Sequence, residues 1–170
     1  MPSDRAAWYV IHTCGKHETK VEMNLQKKGL EIFLPRMAVF SRRRDRKRLL
    51  QVPLFPGYVF AHVHMSYETY SHIIKSPGVV RLLGLNGEFY PVSQDTIESI
   101  RIMLASRRFC YPWENLKQGQ CVRIVEGPLA GAVGRIERIN GKKRRLVVTV
   151  ELLSRSVAVD LENEAVERYC

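Results

Sequence analysis

The chain of 170 residues is predicted to be an α+β protein with two domains, an N-terminal α/β sandwich and a small C-terminal β-barrel. In residues 6–107, β-branched or aromatic runs alternate with stretches of helical period, which predicts an antiparallel sheet with three helices. In residues 117–169, short β-branched runs are separated by glycines, which is typical of a small barrel. Residues 108–116 have no clear period and contain Pro112, so we interpret them as a linker.

The N-terminal domain is predicted to contain eight elements in the order β-α-β-β-α-β-β-α. Residues 8–13 are aromatic and β-branched, as expected of a strand. Residues 17–28 carry Val21 and Leu25 four positions apart among charged residues, which predicts a helix that stops at Gly29. The remaining predictions are extended segments over 30–40 and 49–63, a helix over 67–74, hairpin strands over 79–83 and 88–92, and a helix over 93–104.

The C-terminal domain is predicted to contain four or five short strands. The β-branched runs cover residues 122–125, 133–139, 146–150 and 156–160. A barrel suits such strands because closure hides their edges. Strong β-branching in the last two runs favours strands over helices.

Charge predicts a polyanionic partner for the N-terminal part. Lys and Arg total 27 against 17 Asp and Glu, which gives a net charge of +10. Up to Cys110 there are 17 basic and 9 acidic residues, a net of +8, and the remaining 10 and 8 give +2. Nucleic acid is the usual partner of such a surface.

The sequence also indicates the cellular compartment of the protein and the kinds of chemistry that are not expected of it. The four cysteines are irregularly spaced, which indicates reduced thiols. The sequence shows no apolar run of signal-peptide or transmembrane length, so a cytoplasmic protein that does not contact membranes is expected. His62 and His64 would share a strand face, but no third ligand is near, so we expect no metal. No motif of a catalytic or cofactor site is present, and an enzyme is not predicted.

The segment from Phe55 to Phe60, with the sequence FPGYVF, combines large apolar side chains with a turn signal. Strand alternation would place Tyr58 and Phe60 on one sheet face and Val59 on the other. Two interpretations remain open from the pattern alone. The aromatic residues could be core side chains of a central strand, or they could form an exposed patch that binds another protein.

Glycine spacing between residues 119 and 134 predicts a strand, a tight loop and a second strand. This pattern resembles the KOW module, a small SH3-like barrel of transcription and ribosomal proteins. From Trp8 to Tyr169 the whole chain resembles the NusG family of bacterial transcription elongation factors, whose motifs occur here in the same order. These motifs are the strand 8–10, Gly15 with 18–21, the run 53–60, the turn 76–79 and the glycine-spaced loop.

Within this family, the sequence is most similar to the specialised paralogues of the UpxY, RfaH and LoaP type, which prevent early termination in long operons. The resemblance implies an N-terminal NGN domain that binds the clamp helices of the largest RNA polymerase subunit and suppresses pausing or termination. It assigns polymerase binding to Phe55, Pro56, Tyr58 and Phe60. It also implies a monomer without cofactors.

The resemblance implies a second partner for the KOW barrel, either a small-subunit ribosomal protein or the Rho terminator. The loop residues assigned to that contact are Gly127, Pro128, Leu129, Gly131 and Gly134. Leu129 stands where family members often carry a larger aromatic residue. A ribosome-associated KOW protein that binds structured RNA is the alternative function, because the basic charge suits it equally.

DNA near the transcription bubble is a further expected partner. A run of basic residues is predicted to form the tip of a long hairpin, where it could contact phosphates. These residues are Arg42, Arg43, Arg44, Arg46, Lys47 and Arg48. The start of the first helix contributes Lys16, His17 and Lys20, where some specialised family members read a DNA element.

Overall fold

The computed structural model describes residues 5–41, 48–85, 87–106, 108, 110–113, 119–139, 143–162 and 164–169. The chain divides into two compact units. The first comprises Met1–Leu34 with Phe55–Gln94, and the second comprises Pro35–Leu54 with Asp95–Cys170. This division differs from the predicted domains at the segment 35–54 and at the third helix, and the boundaries 6–107 and 117–169 stay predictions.

The helices and strands of the first unit follow the predicted order. They are β1 (Ala7–Thr13), α1 (Glu18–Lys27), β2 (Glu31–Phe33), β5 (Tyr58–Val63), α2 (Tyr67–Ile74), β6 (Val79–Leu82), β7 (Gly84–Leu85) and β8 (Glu88–Phe89). The second unit contains β3 (Arg36–Phe40), β4 (Leu49–Pro53), α3 (Gln94–Ala105, from Asp95 onward), β9 (Cys110–Trp113), β10 (Gln120–Ile124), β11 (Val133–Ile139), β12 (Lys143–Val150), a 3₁₀ helix (Glu151–Leu153), β13 (Arg155–Leu161) and β14 (Val166–Arg168).

The first unit is built on an antiparallel sheet in the order β2-β5-β1-β6. One face of this sheet packs on α1 and α2 through a cluster of apolar side chains. The cluster consists of Tyr9, Ile11, Val21, Leu25, Ile32, Leu34, Val59, Ala61, Val63, Met65, Ile73 and Leu82. Because side chains alternate along a strand, the strand residues that alternate with members of this cluster point to the other face of the sheet.

Both helices of this unit begin and end where the sequence indicates. The N–H of Gly29 donates to the Gln26 carbonyl and that of Leu30 to the Leu25 carbonyl. With Gly29 at a φ of 79°, these bonds form a Schellman motif, which confirms the predicted stop. At α2, Ser66 caps the helix by accepting the Thr69 N–H at 3.1 Å.

The two long extended segments predicted from sequence each divide into two strands. Pro35 interrupts the first of them, and the turn at residues 55–58 interrupts the second. Strands β3 and β4 pair from Arg36↔Pro53 to Phe40↔Leu49, so the predicted long hairpin is confirmed up to its last described pair. Of the predicted basic tip, Arg42, Arg43, Arg44, Arg46 and Lys47 lie outside the described residues, and Arg48 is exposed.

The second unit contains a six-stranded antiparallel sheet in the order β14-β10-β11-β12-β13-β9. The four predicted barrel strands are all present as β10 to β13. Strand β9 differs from the prediction, since residues 110–113 fall within the predicted linker. These residues pair with β13 from Val159↔Cys110 to Ser156↔Trp113 and lengthen the sheet by one strand. Pro112 has no N–H to donate, and it is compatible with a strand here because β9 lies at the sheet edge.

The α+β class, with a helix-covered N-terminal sheet and a KOW-like C-terminal sheet, is confirmed. Within the described ranges, no helix is both long and apolar enough to cross a membrane.

Close packing at Gly134 predicts a measurable loss of stability in Gly134→Ala. A Cβ at this position would lie 2.6 Å from the backbone oxygen of Val147 on the neighbouring strand. Since a backbone oxygen cannot move without distorting the ladder, we expect a loss of about 1–3 kcal/mol in unfolding free energy. Urea denaturation followed by circular dichroism measures it. Gly15→Ala is the control, because nothing lies within 4 Å of its added Cβ. Equal midpoints for the two variants would contradict the packing role of Gly134.

Candidate functional site

The candidate site begins at the β-turn that precedes β5. The Tyr58 N–H donates to the Phe55 carbonyl at 3.1 Å, and Gly57 adopts a φ of 85°. Pro56 at the second position and a positive φ at the third are the signature of a type II turn. The motif FPGY is therefore a turn whose last residue, Tyr58, begins the central strand.

Two residues outside the motif hold this turn against the sheet. The carboxylate of Glu18, which is buried, accepts the Gly57 N–H at 2.8 Å. The Gly57 carbonyl in turn accepts the N–H of Thr13 at 2.8 Å. Glu18 was not among the predicted site residues, because its bond to Gly57 joins positions that are distant in sequence and leaves no local pattern. Hydrogen bonds to both the backbone N–H and the carbonyl of Gly57 therefore anchor the turn.

The register of β1 and β5 places the aromatic residues on the sheet face opposite α1 and α2. Cross-strand pairs on this face are Trp8↔His62, Val10↔Phe60 and His12↔Tyr58. The rings of His12 and Tyr58 stack with centroids 5.2 Å apart. Tyr58 and Phe60 therefore share a face and Val59 lies on the other, as the alternation predicted.

The four residues that the family resemblance assigned to polymerase binding differ in their exposure to solvent. Phe55 and Phe60 are buried, with relative exposures of 2% and 0%, and their rings pack edge to face at 5.9 Å. Pro56 is exposed and Tyr58 is half-buried. The expectation of an exposed patch is wrong for Phe55 and Phe60, which are core side chains. Whether any of the four binds polymerase stays a prediction.

We define the Tyr58 patch as Pro56, Tyr58, its stacking partner His12, and Arg81, which pairs with His12 across β1 and β6. Arg81 is exposed and His12 is half-buried. The patch combines two aromatic rings with one fixed positive charge. Such a surface can bind a protein that presents apolar and acidic side chains. His12 and Arg81 were not among the predicted site residues, because their proximity depends on strand register.

Of the predicted nucleic-acid residues near the start of α1, Lys16 and His17 lie in the loop before the helix and Lys20 lies in the helix itself. The turn before β6 holds this loop in place. The Cys14 N–H donates to the Gly78 carbonyl at 2.8 Å. Lys16 and Lys20 are exposed, and Lys16 adopts a φ of 61°. His17 is half-buried and its Nδ1 donates to the Gly15 carbonyl at 2.9 Å. Two lysine side chains are therefore accessible to an anion, while His17 is partly engaged in fixing the loop.

The predicted partner loop of the barrel is only partly accessible. Gly127 and Gly131 adopt φ values of 85° and 90°, which explains why glycine is required at both. Gly127, Pro128 and Gly131 are exposed, but Leu129 is completely buried. The expectation that Leu129 contacts a partner at the loop tip is therefore not met in this conformation. Gly134 lies within β11, close to the backbone of the neighbouring strand, and its role in partner binding stays a prediction.

Helix α3 packs on this loop within the second unit. The N–H of Val133 donates to the Ser99 hydroxyl at 2.7 Å, and Ser99 in turn donates to the Asp95 carbonyl. A Cβ on Gly131 would lie 3.2 Å from Cδ1 of Ile102. Because α3 supplies both a polar and an apolar contact, the side of the loop that faces it is closed to a partner in this conformation.

The side chain of His62, in β5, makes contacts within the first unit. His62 stacks on Trp8 at 4.9 Å and pairs with the Glu31 carboxylate at 2.8 Å. In the part of the chain that the structure describes, no group of three or more His, Cys, Asp or Glu side chains is placed to hold a metal ion.

Cys110 is expected to resist alkylation while Cys14 reacts. Burial raises the pKa of the Cys110 thiol to about 11, and Cys14 is exposed. The thiolate is the nucleophile, so Cys110 stays unreactive at mildly alkaline pH. Peptide mass spectrometry after iodoacetamide treatment measures both sites, and denaturation in urea before labelling is the positive control. Modification of Cys110 at the rate of Cys14 in the folded protein would contradict its burial.

The family model described as "Transcription termination factor nusG" matches residues 6–101. This range includes α1, the turn at residues 55–58 and the Tyr58 patch. The chain belongs to the NusG family.

Individual NusG proteins match over nearly their whole length. The "Transcription termination/antitermination protein NusG" of Pseudomonas aeruginosa is 29% identical over 172 residues, which is 95% of this chain and 97% of the relative. The protein of the same name from Staphylococcus carnosus is 27% identical over 173 residues, covering 95% and 94%. A solved structure described as "Domain interaction in Thermotoga maritima NusG" matches with a TM-score of 0.56 and 26% identity over 96% of this chain and 97% of that one.

Family membership confirms the resemblance stated from the sequence motifs. NusG proteins are transcription termination and antitermination factors, which agrees with the prediction of a transcription factor and not an enzyme. The similarity to specialised paralogues stays a prediction, since the relatives above carry the general NusG name.

Proposed function

We propose that this member of the NusG family is a transcription elongation and antitermination factor that binds the clamp helices of the largest RNA polymerase subunit through the Tyr58 patch. The observation that carries the proposal is the fixed position of Tyr58. Its turn is anchored by Glu18 and Thr13, and its ring stacks on His12. A preorganised aromatic anchor loses little conformational entropy when it enters a pocket on a partner.

The combination of aromatic rings and a positive charge in the Tyr58 patch supports a helical protein as its partner. The surface of a helix pair offers apolar ridges flanked by charged residues, and a ring with a neighbouring guanidinium matches that pattern. Arg81 could pair with an acidic side chain on such a helix. No covalent chemistry is required, because binding alone can hold the polymerase in its elongating conformation.

A single-round transcription assay tests the function. Purified bacterial core polymerase transcribes a template that contains a pause site and a terminator, with and without the protein. We expect shorter pauses or more read-through product when the protein is present. Unchanged pausing and termination at saturating protein would exclude the proposed activity. Binding to purified ribosomal RNA in preference to polymerase would favour the alternative function in ribosome association.

The barrel is proposed to recruit a second protein, either a small-subunit ribosomal protein or Rho. Support comes from the exposed residues Gly127, Pro128 and Gly131 of its loop. Action at a few long operons is likewise our proposal, based on the similarity to specialised paralogues. Chromosomal occupancy confined to a few transcription units would support it, and occupancy of all transcribed genes would contradict it.

We further propose that the basic residues between Arg42 and Arg48 contact DNA phosphates beside the bubble. Replacing all six with glutamine is expected to reduce the salt dependence of DNA binding, because each lost phosphate contact removes roughly 0.9 from the slope of log K against log salt. Fluorescence anisotropy with labelled duplex DNA at several salt concentrations measures this slope. The control is the double variant Lys143→Gln with Arg155→Gln, whose side chains are exposed on the barrel. Equal slopes for the two variants would contradict the assignment.

A further inference from the structure

We propose that an aromatic groove beside α2 is a docking site for an extended protein segment that carries an arginine or lysine. The groove has a volume of about 690 Å³ and lies within the first unit. Its principal walls are Tyr67, Tyr70, Phe89 and Tyr90, which we call the tyrosine groove. This inference does not depend on the polymerase contact proposed for the Tyr58 patch.

The rings of the tyrosine groove are held in a defined arrangement. Tyr70 and Phe89 stack with centroids 5.3 Å apart and planes inclined at 27°. Tyr67 lies three positions before Tyr70 on α2, and the cap by Ser66 fixes this first turn. On soluble proteins, a cluster of accessible aromatic rings marks an interaction surface. Here the exposed fractions of Tyr67 and Tyr90 are 85% and 43%.

The opposite wall depends on Gly84. Strand β8 pairs with β7 through Gly84↔Phe89 and Leu85↔Glu88. A Cβ at position 84 would lie 2.2 Å from the Glu88 carbonyl and 3.0 Å from the Phe89 ring. Only glycine therefore allows the two strands to approach closely enough for Phe89 to reach Tyr70.

Charge identifies the partner as cationic. Among the ten described residues that line the groove, Glu88 is the only charged one, and it is exposed. These ten residues include no lysine, arginine or histidine, although the chain has a net charge of +10. A single-stranded nucleic acid that stacked on these rings would need basic residues to follow its backbone. By contrast, a guanidinium or ammonium group is attracted by tyrosine faces and by a carboxylate.

An extended segment suits the groove because β8 offers a strand edge. Within the described sheets, β8 pairs with β7 alone, and we infer that the other edge of β8 accepts backbone hydrogen bonds from the partner segment. A peptide that adds to this edge would place alternate side chains over the rings. Tyr9 also lines the groove and lies on the helix-covered face of the sheet, opposite Tyr58. The tyrosine groove and the Tyr58 patch can therefore bind two partners at once.

The test selects short random peptides displayed on phage against the full-length protein, after depletion on the double variant Tyr67→Ser with Glu88→Gln. Both changes affect exposed side chains, so the variant is expected to fold, and circular dichroism checks this. The recovered peptides are expected to be enriched in arginine or lysine flanked by apolar residues. Failure to recover any peptide that distinguishes the two proteins, or recovery of peptides without basic residues, would overturn the proposal.

Single variants then locate the contact. The affinity of the strongest recovered peptide, measured by fluorescence anisotropy, is expected to fall at least about five-fold in Tyr67→Ser and in Glu88→Gln. Glu68→Gln is the matched control, because Glu68 is exposed on α2 but does not line the groove. Tyr58→Ala is expected to leave peptide binding unchanged. Equal affinities for Glu88→Gln and Glu68→Gln would overturn the proposal, as would displacement of the peptide by oligothymidylate.

Discussion

Phe60→Ala is expected to destabilise the protein by about 3–5 kcal/mol, the range found when a buried phenylalanine is truncated. Phe60 has no exposed surface, and its ring packs against Phe33 and Phe55 at centroid distances of 6.1 and 5.9 Å. Since domains are typically stable by only about 5–15 kcal/mol, this loss is a large part of the total. Urea denaturation followed by circular dichroism measures it.

Phe40→Ala provides a matched control within the same chain. Phe40 is 65% exposed on β3, so its truncation is expected to change the unfolding free energy by no more than about 0.5 kcal/mol. Comparable losses for the two variants would show that Phe60 is not the core residue described here. The comparison also shows why a Phe60 variant is a poor test of polymerase binding, since reduced folding would reduce binding by itself.

Tyr58→Ala is expected to weaken binding to core RNA polymerase by about thirty-fold, because truncation of an aromatic anchor at an interface costs about 2 kcal/mol or more. Tyr58 is only half-buried in the unbound protein, so the effect on folding should be much smaller than that of Phe60→Ala. Biolayer interferometry with immobilised polymerase measures the dissociation constant. Tyr58→Phe, which keeps the ring that stacks on His12, should retain most of the affinity.

Met23→Ala is the control for a surface far from the proposed contact. Met23 is 52% exposed on α1, which covers the opposite face of the sheet from Tyr58. Its truncation is expected to leave polymerase affinity unchanged. If Tyr58→Ala bound polymerase as tightly as Met23→Ala, the Tyr58 patch would not be the interface.

The order of most elements was predictable because those elements carried a local signal. Gly29 ends α1 through backbone bonds that require its positive φ, and Ser66 begins α2 through its hydroxyl group. Strand β9 carried no such signal. Its four residues contain a proline and are stabilised by pairing with β13, which is distant in sequence. Tertiary pairing of this kind leaves no local pattern.

The candidate site was predictable only in part for a similar reason. Alternation correctly placed Tyr58 and Phe60 on one face, but it could not show that Phe60 is covered. The anchoring carboxylate of Glu18 is 39 positions from Gly57, and the stack of His12 on Tyr58 depends on strand register. Exposure and long-range contacts decide which residues of a motif can bind a partner. Both are properties of the folded chain, so a local sequence pattern does not show them.

Photocrosslinking from position 58 tests the central claim most directly. A photoreactive phenylalanine replaces Tyr58 in one sample and Met23 in a second, and each protein is irradiated with core polymerase and with ribosomes. We predict a crosslink from position 58 to the clamp helices of the largest polymerase subunit, identified by mass spectrometry, and none from position 23. A crosslink from position 58 to ribosomal components alone, or equal crosslinking from both positions, would contradict the account.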